Sequence, residues 1–253
     1  CANLASSSSD FDAVTFALLQ IDLAMTDCLS IEEEHTLQAL LDTYPAEPVF
    51  LERAVRLYSQ LGKWQLLHQL LPKLKKYKVY DEAAYAKVLV NVATGLMPVL
   101  AQRGDAAELK ALWKSVAKVH DNEDVLLAYC QALLILHEYE QAQKILELHL
   151  RKHWSDKLAQ QYIQTVVQDK QKQLQFAEAL LAQHGQKVTL LTILGSLAKE
   201  NAYYAKSKEY FDKSLQLQVT PEALRGLAEL AVTQHDYGRA VQLLQQALVL
   251  KTQ

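Results

Sequence analysis

The chain has 253 residues, half of them hydrophobic, with only 7 Gly and 5 Pro and a formal net charge of −3. So few chain breakers, with abundant Leu, Ala, Gln, Lys and Glu and no period-2 runs, imply an all-helical protein. The near-neutral charge excludes a general drive toward nucleic acid or an anionic membrane surface. The three cysteines, Cys1, Cys28 and Cys130, are no disulfide framework, and no run approaches the roughly eighteen apolar residues of a membrane span.

Residues 1–9 are expected to form a flexible tail. Cys1 followed by Ser6–Ser9 matches either the mature end of a lipoprotein or a fragment boundary. Asp10–Thr26 reads as a helix with Phe11, Val14, Leu18, Ile21 and Met25 on one side. Ser30 with Glu33 three residues on is a capping box for a helix through Leu37 and Leu41, which the Tyr44-Pro45-Ala46-Glu47-Pro48 stretch ends. Pro48–Leu61 and Trp64–Lys76 form a hairpin, with Gly62 placed to take the left-handed conformation at the turn. Asp81–Gln102 is one long helix interrupted by Gly95 and kinked by Pro98, and Asp105–Val119 returns against it.

The clearest hairpin follows, within Asp124–Leu150. Leu126, Tyr129, Cys130 and Leu133 line its first helix, Ala142, Leu146 and His149 its second, and His137-Glu138-Tyr139-Glu140 makes the turn. Asp156–Gln168 with Phe176–His184, Val188–Glu200 with Tyr204–Leu217, and Pro221–Gln234 with Tyr237–Val249 complete the chain. Thr220 caps the helix that Pro221 opens.

These hairpins repeat. A small residue falls at Ala142, Ala177, Ser207 and Ala240, an aromatic after the turn at Trp64, Tyr139, Tyr204 and Tyr237, and a large residue at Leu146, Phe211 and Leu244. Leu194-Gly195 and Leu227-Ala228 are again 33 residues apart, and Tyr129-Cys130 holds the same place. This resembles the tetratricopeptide repeat, with a period of about 34. Two helices of about four turns need small residues where they cross and large ones beside the crossing. Each hairpin leaves an apolar face that only the next can cover. The expected fold is therefore an all-α solenoid of antiparallel hairpins. A tail at 1–9 precedes an N-terminal arm at 10–76, a longer helical pair occupies 77–120, and a C-terminal arm fills 121–253. Gln160, Gln161 and Gln164 replace expected apolar residues and weaken the repeat at Asp156–His184.

Three blocks are more distinctive than the repeat itself. Leu61-Gly62-Lys63-Trp64-Gln65-Leu66-Leu67 continues into Leu70-Leu71-Pro72-Lys73-Leu74-Lys75-Lys76. Leu109-Lys110-Ala111-Leu112-Trp113-Lys114-Ser115-Val116 leads into Val125-Leu126-Leu127-Ala128-Tyr129. Leu148-His149-Leu150-Arg151-Lys152-His153-Trp154-Ser155 is followed by Leu158 and Tyr162. In that order they resemble the C-terminal soluble part of the HemY family, tetratricopeptide-repeat proteins of proteobacterial haem-biosynthesis operons. The family's two opening membrane helices are absent here, and Ile163 stands where it often has Gly. The resemblance implies a bacterial inner-membrane protein whose anchor lies outside this chain. It also implies a scaffold for late tetrapyrrole synthesis that docks haem-biosynthesis enzymes on a concave surface, with no catalytic residues.

The residues themselves offer little chemistry. Histidines 149 and 153, four apart on one helix beside Trp154, have a spacing that holds a metal or a haem iron, or else simply pack. No acid, base or nucleophile is paired in a motif, so no enzyme is expected, and no metal or resident cofactor. Tyr203, Lys206 and Tyr210 offer an aromatic and basic lining that suits a peptide or a propionate-bearing porphyrin, or ordinary interhelix packing. Lys73, Lys75 and Lys76 are either a contact for an anionic partner or the cationic complement of a helix C-terminus. Direct haem or porphyrin binding, and a general periplasmic or lipoprotein adaptor role, are the alternatives to the scaffold.

Overall fold

The computed structural model describes Thr15, residues 31–165 and residues 169–251. The helix expected at Asp10–Thr26 and the Ser30 capping box lie outside the described residues. The chain divides into two compact units, Cys1–Val99 with Lys110–Asn122, and Leu100–Leu109 with Glu123–Gln253. Only helices occur among the described residues.

The first unit opens with α1 (Ile31–Thr43), α2 (Pro48–Gln60) and α3 (Trp64–Lys76). Pro48 starts α2 with its preset φ, after an extended Glu47. Leu67, Leu70, Leu71 and Leu74 give α3 one buried face at the helical period. The next helix, α4, runs Glu82–Arg103, through both Gly95 and Pro98. Asp81 caps it by accepting from the Ala84 N–H at 2.7 Å.

Gly95 has a packing reason rather than a breaking one. The Trp64 indole lies so close to it that a Cβ there would sit 2.3 Å from the ring. Among the described residues α4 is the one helix long and apolar enough to cross a membrane, which counting consecutive apolar residues missed. Its Val88, Leu89, Val92, Ala93, Leu96 and Met97 are buried in the protein, and 39% of its apolar window is covered in this way. The helix expected over Asp105–Val119 is instead two pieces, α5 (Ala106–Ser115) and a 3₁₀ turn at Ala117–Val119. His120 stacks on Trp113 with 3.6 Å between ring centroids and reaches its carbonyl at 2.7 Å, so the chain turns back on itself there.

The second unit carries α6 (Glu123–Ile135), α7 (Tyr139–Lys152), α8 (Asp156–Ile163), α9 (Lys170–His184), α10 (Val188–Glu200), α11 (Tyr204–Leu217), α12 (Pro221–Thr233) and α13 (Tyr237–Lys251). First helices pack in a row, α6 on α8, α8 on α10, and α10 on α12, while α11 and α13 flank them. Ala142, Ala177, Ser207 and Ala240, the small crossing residues, are all buried. The Ser207 hydroxyl donates to the Gly195 carbonyl at 2.6 Å, so this polar residue costs nothing at the crossing.

One turn recurs. Gly62, His137, Ala202 and His235 all have φ between 60° and 65°. The next N–H in each case donates five residues back: Lys63 to Tyr58, Glu138 to Leu133, Tyr203 to Ala198 and Asp236 to Ala231. This is the Schellman C-cap. An aromatic stands two residues after each left-handed position, at Trp64, Tyr139, Tyr204 and Tyr237. The turn expected at His137–Glu140 is thus tighter, because Tyr139 already belongs to α7.

Two expectations fail in the weak repeat. The helix from Asp156 ends at Ile163 rather than Gln168, and its partner begins at Lys170 rather than Phe176. Side chains take over the freed backbone. Thr165 donates to the Tyr162 carbonyl at 2.6 Å, and buried Gln173 donates to the same carbonyl at 3.0 Å. Asp169 caps α9 by accepting from the Lys172 N–H. A third departure is at Leu244, expected in a covered slot but 47% exposed. No later helix packs on it among the described residues.

Candidate functional site

Along the first helices of the second unit, polar side chains reach from one helix to another. Lys157 of α8 pairs with Asp124 of α6 at 3.3 Å, and Gln131 of α6 donates to Gln161 of α8 at 3.5 Å. Lys199 of α10 pairs with Glu229 of α12. These contacts bridge α6 to α8 and α10 to α12. Gln160, Thr192, Ser196 and Arg225 stand on the same row of helices, exposed or half-buried. Exposed ion pairs of this kind add little stability. Such a strip offers hydrogen-bond donors and acceptors over several repeats.

The anticipated site residues distribute as follows. Of the tyrosine–lysine set, Tyr203 is exposed, but Tyr210 is buried and donates to Glu178 of α9 at 3.1 Å. Lys206 pairs with the same carboxylate and lies 5.9 Å from the Tyr210 ring centroid. Burial, and then the Glu178 charge, raises the Tyr210 pKa, while the hydrogen bond to Glu178 raises that of Lys206. Lys206 and Tyr210 therefore tie α11 to α9 more than they line a groove.

His149 and His153 stand with ring centroids 5.8 Å apart. No group of three or more His, Cys, Asp or Glu suited to a metal ion occurs among the described residues. The pair has aromatic and basic neighbours instead. Trp154 lies 5.9 Å from His184, and Arg151 lies 5.3 Å from the Phe176 ring. His184 was not anticipated here, and its Nε2 is 2.8 Å from the Leu150 carbonyl. Position 184 is 31 residues beyond His153, so only the packing of α9 against α7 joins them.

Lys73, Lys75 and Lys76 form the exposed basic end of α3, where Lys76 sits 5.2 Å over the Tyr77 ring. Cys130 is fully buried, and burial pushes its thiol up to about 12, which makes it a poor nucleophile or ligand. Tyr162, also buried, donates to Glu147 at 3.0 Å, and burial followed by that carboxylate raises its pKa.

Helical hairpins with buried small residues at their crossings, a common turn and a row of first helices define a tetratricopeptide-repeat α-solenoid. A solved tetratricopeptide repeat protein from Parabacteroides merdae shares this fold at a TM-score of 0.50 and 14% identity, covering 92% of this chain and 93% of that one. No family model matches. Protein HemY of Escherichia coli strain K12 and of Shigella flexneri are each 23% identical over 148 residues, 58% of this chain. The match spans 37% of the length of those curated relatives. The chain thus has a tetratricopeptide-repeat fold and is similar to HemY over that stretch.

Proposed function

We propose that the chain is a non-catalytic scaffold that docks partner proteins along the first-helix face of α6, α8, α10 and α12. The observation that carries this reading is the bridged polar strip on those helices. Repeat arrays use such extended faces for binding. The likeness to HemY points to late haem biosynthesis as the setting and to enzymes that handle porphyrins as the partners. It also points to the bacterial inner membrane. Exposed Lys73, Lys75 and Lys76 are a second contact for an acidic partner.

Photo-crosslinkers placed at Gln160 and Thr192 test the strip. The reading expects crosslinks to porphyrin-handling enzymes that Arg225→Glu combined with Gln131→Glu removes. Failure to retain any such enzyme defeats the haem setting and leaves a general adaptor.

The second reading is direct tetrapyrrole binding, favoured by the gathering of His149, His153, Trp154, His184 and Arg151. A haem titration decides it. An absent Soret shift, or one unchanged in His149→Ala and His153→Ala, eliminates histidine ligation.

A further inference from the structure

The first unit carries a groove between one face of α4 and the turn that follows α5. Backbone bonds hold that turn. The Val119 N–H donates to the Val116 carbonyl at 2.9 Å, and the Asn122 N–H donates to the Val119 carbonyl at 3.0 Å. Lys118 ties the turn to the start of α4 through Glu82 at 2.8 Å. The cleft measures 360 Å³, and every residue that lines it belongs to the first unit. Half-buried Ala86 and Val90 of α4, with buried Val119, make the apolar part of the lining.

Charge narrows what can fill it. Lys87 and Asn91 stand four residues apart on α4, so they share a face of that helix. Asp121 lines the groove from the turn. Lys118 already has Glu82, but among the described residues no carboxylate pairs with Lys87 and no cation with Asp121. An anion in the cleft would meet Asp121, and a cation would meet Lys87, each a like-charge contact. An uncharged apolar molecule would cover both groups and give neither a partner, which costs desolvation. A molecule with a carboxylate, an ammonium and aliphatic groups suits the whole lining. The volume lies at the small end of the roughly 300–1,000 Å³ of ligand pockets, which fits a small molecule rather than a helix.

We propose that this groove binds a small aliphatic zwitterion, a free amino acid or a short peptide. Its carboxylate takes the Lys87 ammonium and the Asn91 amide N–H, its ammonium takes Asp121, and its aliphatic part lies on Val90 and Val119. The site shares no residue with the strip of the second unit or with Lys73, Lys75 and Lys76, and it can fail without them.

Calorimetric titration of the full chain with leucine and with leucyl-leucine tests it. Saturable binding in the millimolar range is expected. Acetylating the peptide's amine, or amidating its carboxyl, should each weaken binding about threefold or more, as loss of an exposed ion pair does. Asp121→Asn should weaken the free peptide and no longer distinguish it from the acetylated one. Lys87→Gln should do the same for the amidated one. Both side chains are exposed, so circular dichroism of the two variants should match the parent and exclude unfolding. Leucine binding as tightly as the peptide names a free amino acid as the ligand, and tighter binding of the peptide names a short peptide; both outcomes uphold the zwitterion. Absence of saturable binding of either probe, capped peptides that bind as tightly as the free one, or affinities unchanged in both variants overturn the proposal.

Discussion

Gly226→Ala tests the packing on which the second unit depends. In a helix interior that change ordinarily stabilises by about 1 kcal/mol, because Gly loses more backbone freedom on folding than Ala. Here the added Cβ would stand 2.2 Å from Cζ of Phe211, more than 1 Å inside the 3.4–4 Å of ordinary contact. The ring cannot retreat toward α10, because on that side a Cβ on Gly195 would itself be 2.7 Å away. Phe211 is fully buried between the two glycines. Either α12 moves outward or the ring leaves its rotamer, and overpacking of this kind costs up to about 3 kcal/mol. The net expectation is a loss of about 2 kcal/mol. Urea unfolding followed by far-ultraviolet circular dichroism measures it. Gly238→Ala is the control, since its Cβ would meet nothing nearer than Asp236 Oδ1 at 3.9 Å, and it should be neutral or stabilising. Phe211→Leu should couple favourably with Gly226→Ala by about 1 kcal/mol, because the smaller side chain makes room. A Gly226→Ala protein as stable as the parent refutes the wedge.

Gly95→Ala should destabilise the first unit in the same way, with a Cβ 2.3 Å from the Trp64 indole; a lower melting temperature and altered tryptophan emission report it. Ala202→Gly, at φ 61°, should stabilise by about 0.5–1 kcal/mol by relieving a left-handed alanine, and an unchanged urea midpoint would count against that strain. Stability should fall in alkali. The folded Cys130 thiol keeps its proton up to about 12 and the unfolded one loses it near 9.0, so the unfolded state binds fewer protons between those values. Its contribution is whole below that window and declines through it, at no more than about 1.4 kcal/mol per pH unit. The raised Tyr129, Tyr162 and Tyr210 act in the same direction above their ordinary 10.0. Cys130→Ala should flatten the early part of the decline in urea midpoints measured across that range. At neutral pH, in a Cys1→Ser, Cys28→Ser background, Cys130 should react with a thiol reagent only after denaturant is added.

Sequence alone determined the helices, because the signals that set them are local. Apolar spacing, Pro48 and Pro221 at helix starts and Gly62 at a turn act over a few residues, and the structure places those elements within a residue or so. The repeat was legible too, since burial at Ala142, Ala177, Ser207 and Ala240 follows from their common spacing. What failed depended on side chains far along the chain. The short α8 ends where Gln173, eleven residues on, takes the Tyr162 carbonyl, and a polar glutamine gives no periodic signal of that. Gly95 reads as a break until Trp64 is packed against it. Tyr210 reads as a groove residue until Glu178, thirty-two residues earlier, accepts its hydrogen bond. Leu244 is an ordinary repeat position in the sequence; only the absence of a covering helix among the described residues makes it a surface. Local periodicity specifies which face of each helix must be covered. Which partner covers it is a property of the packed structure, because the contact free energy belongs to two elements and is encoded in neither alone.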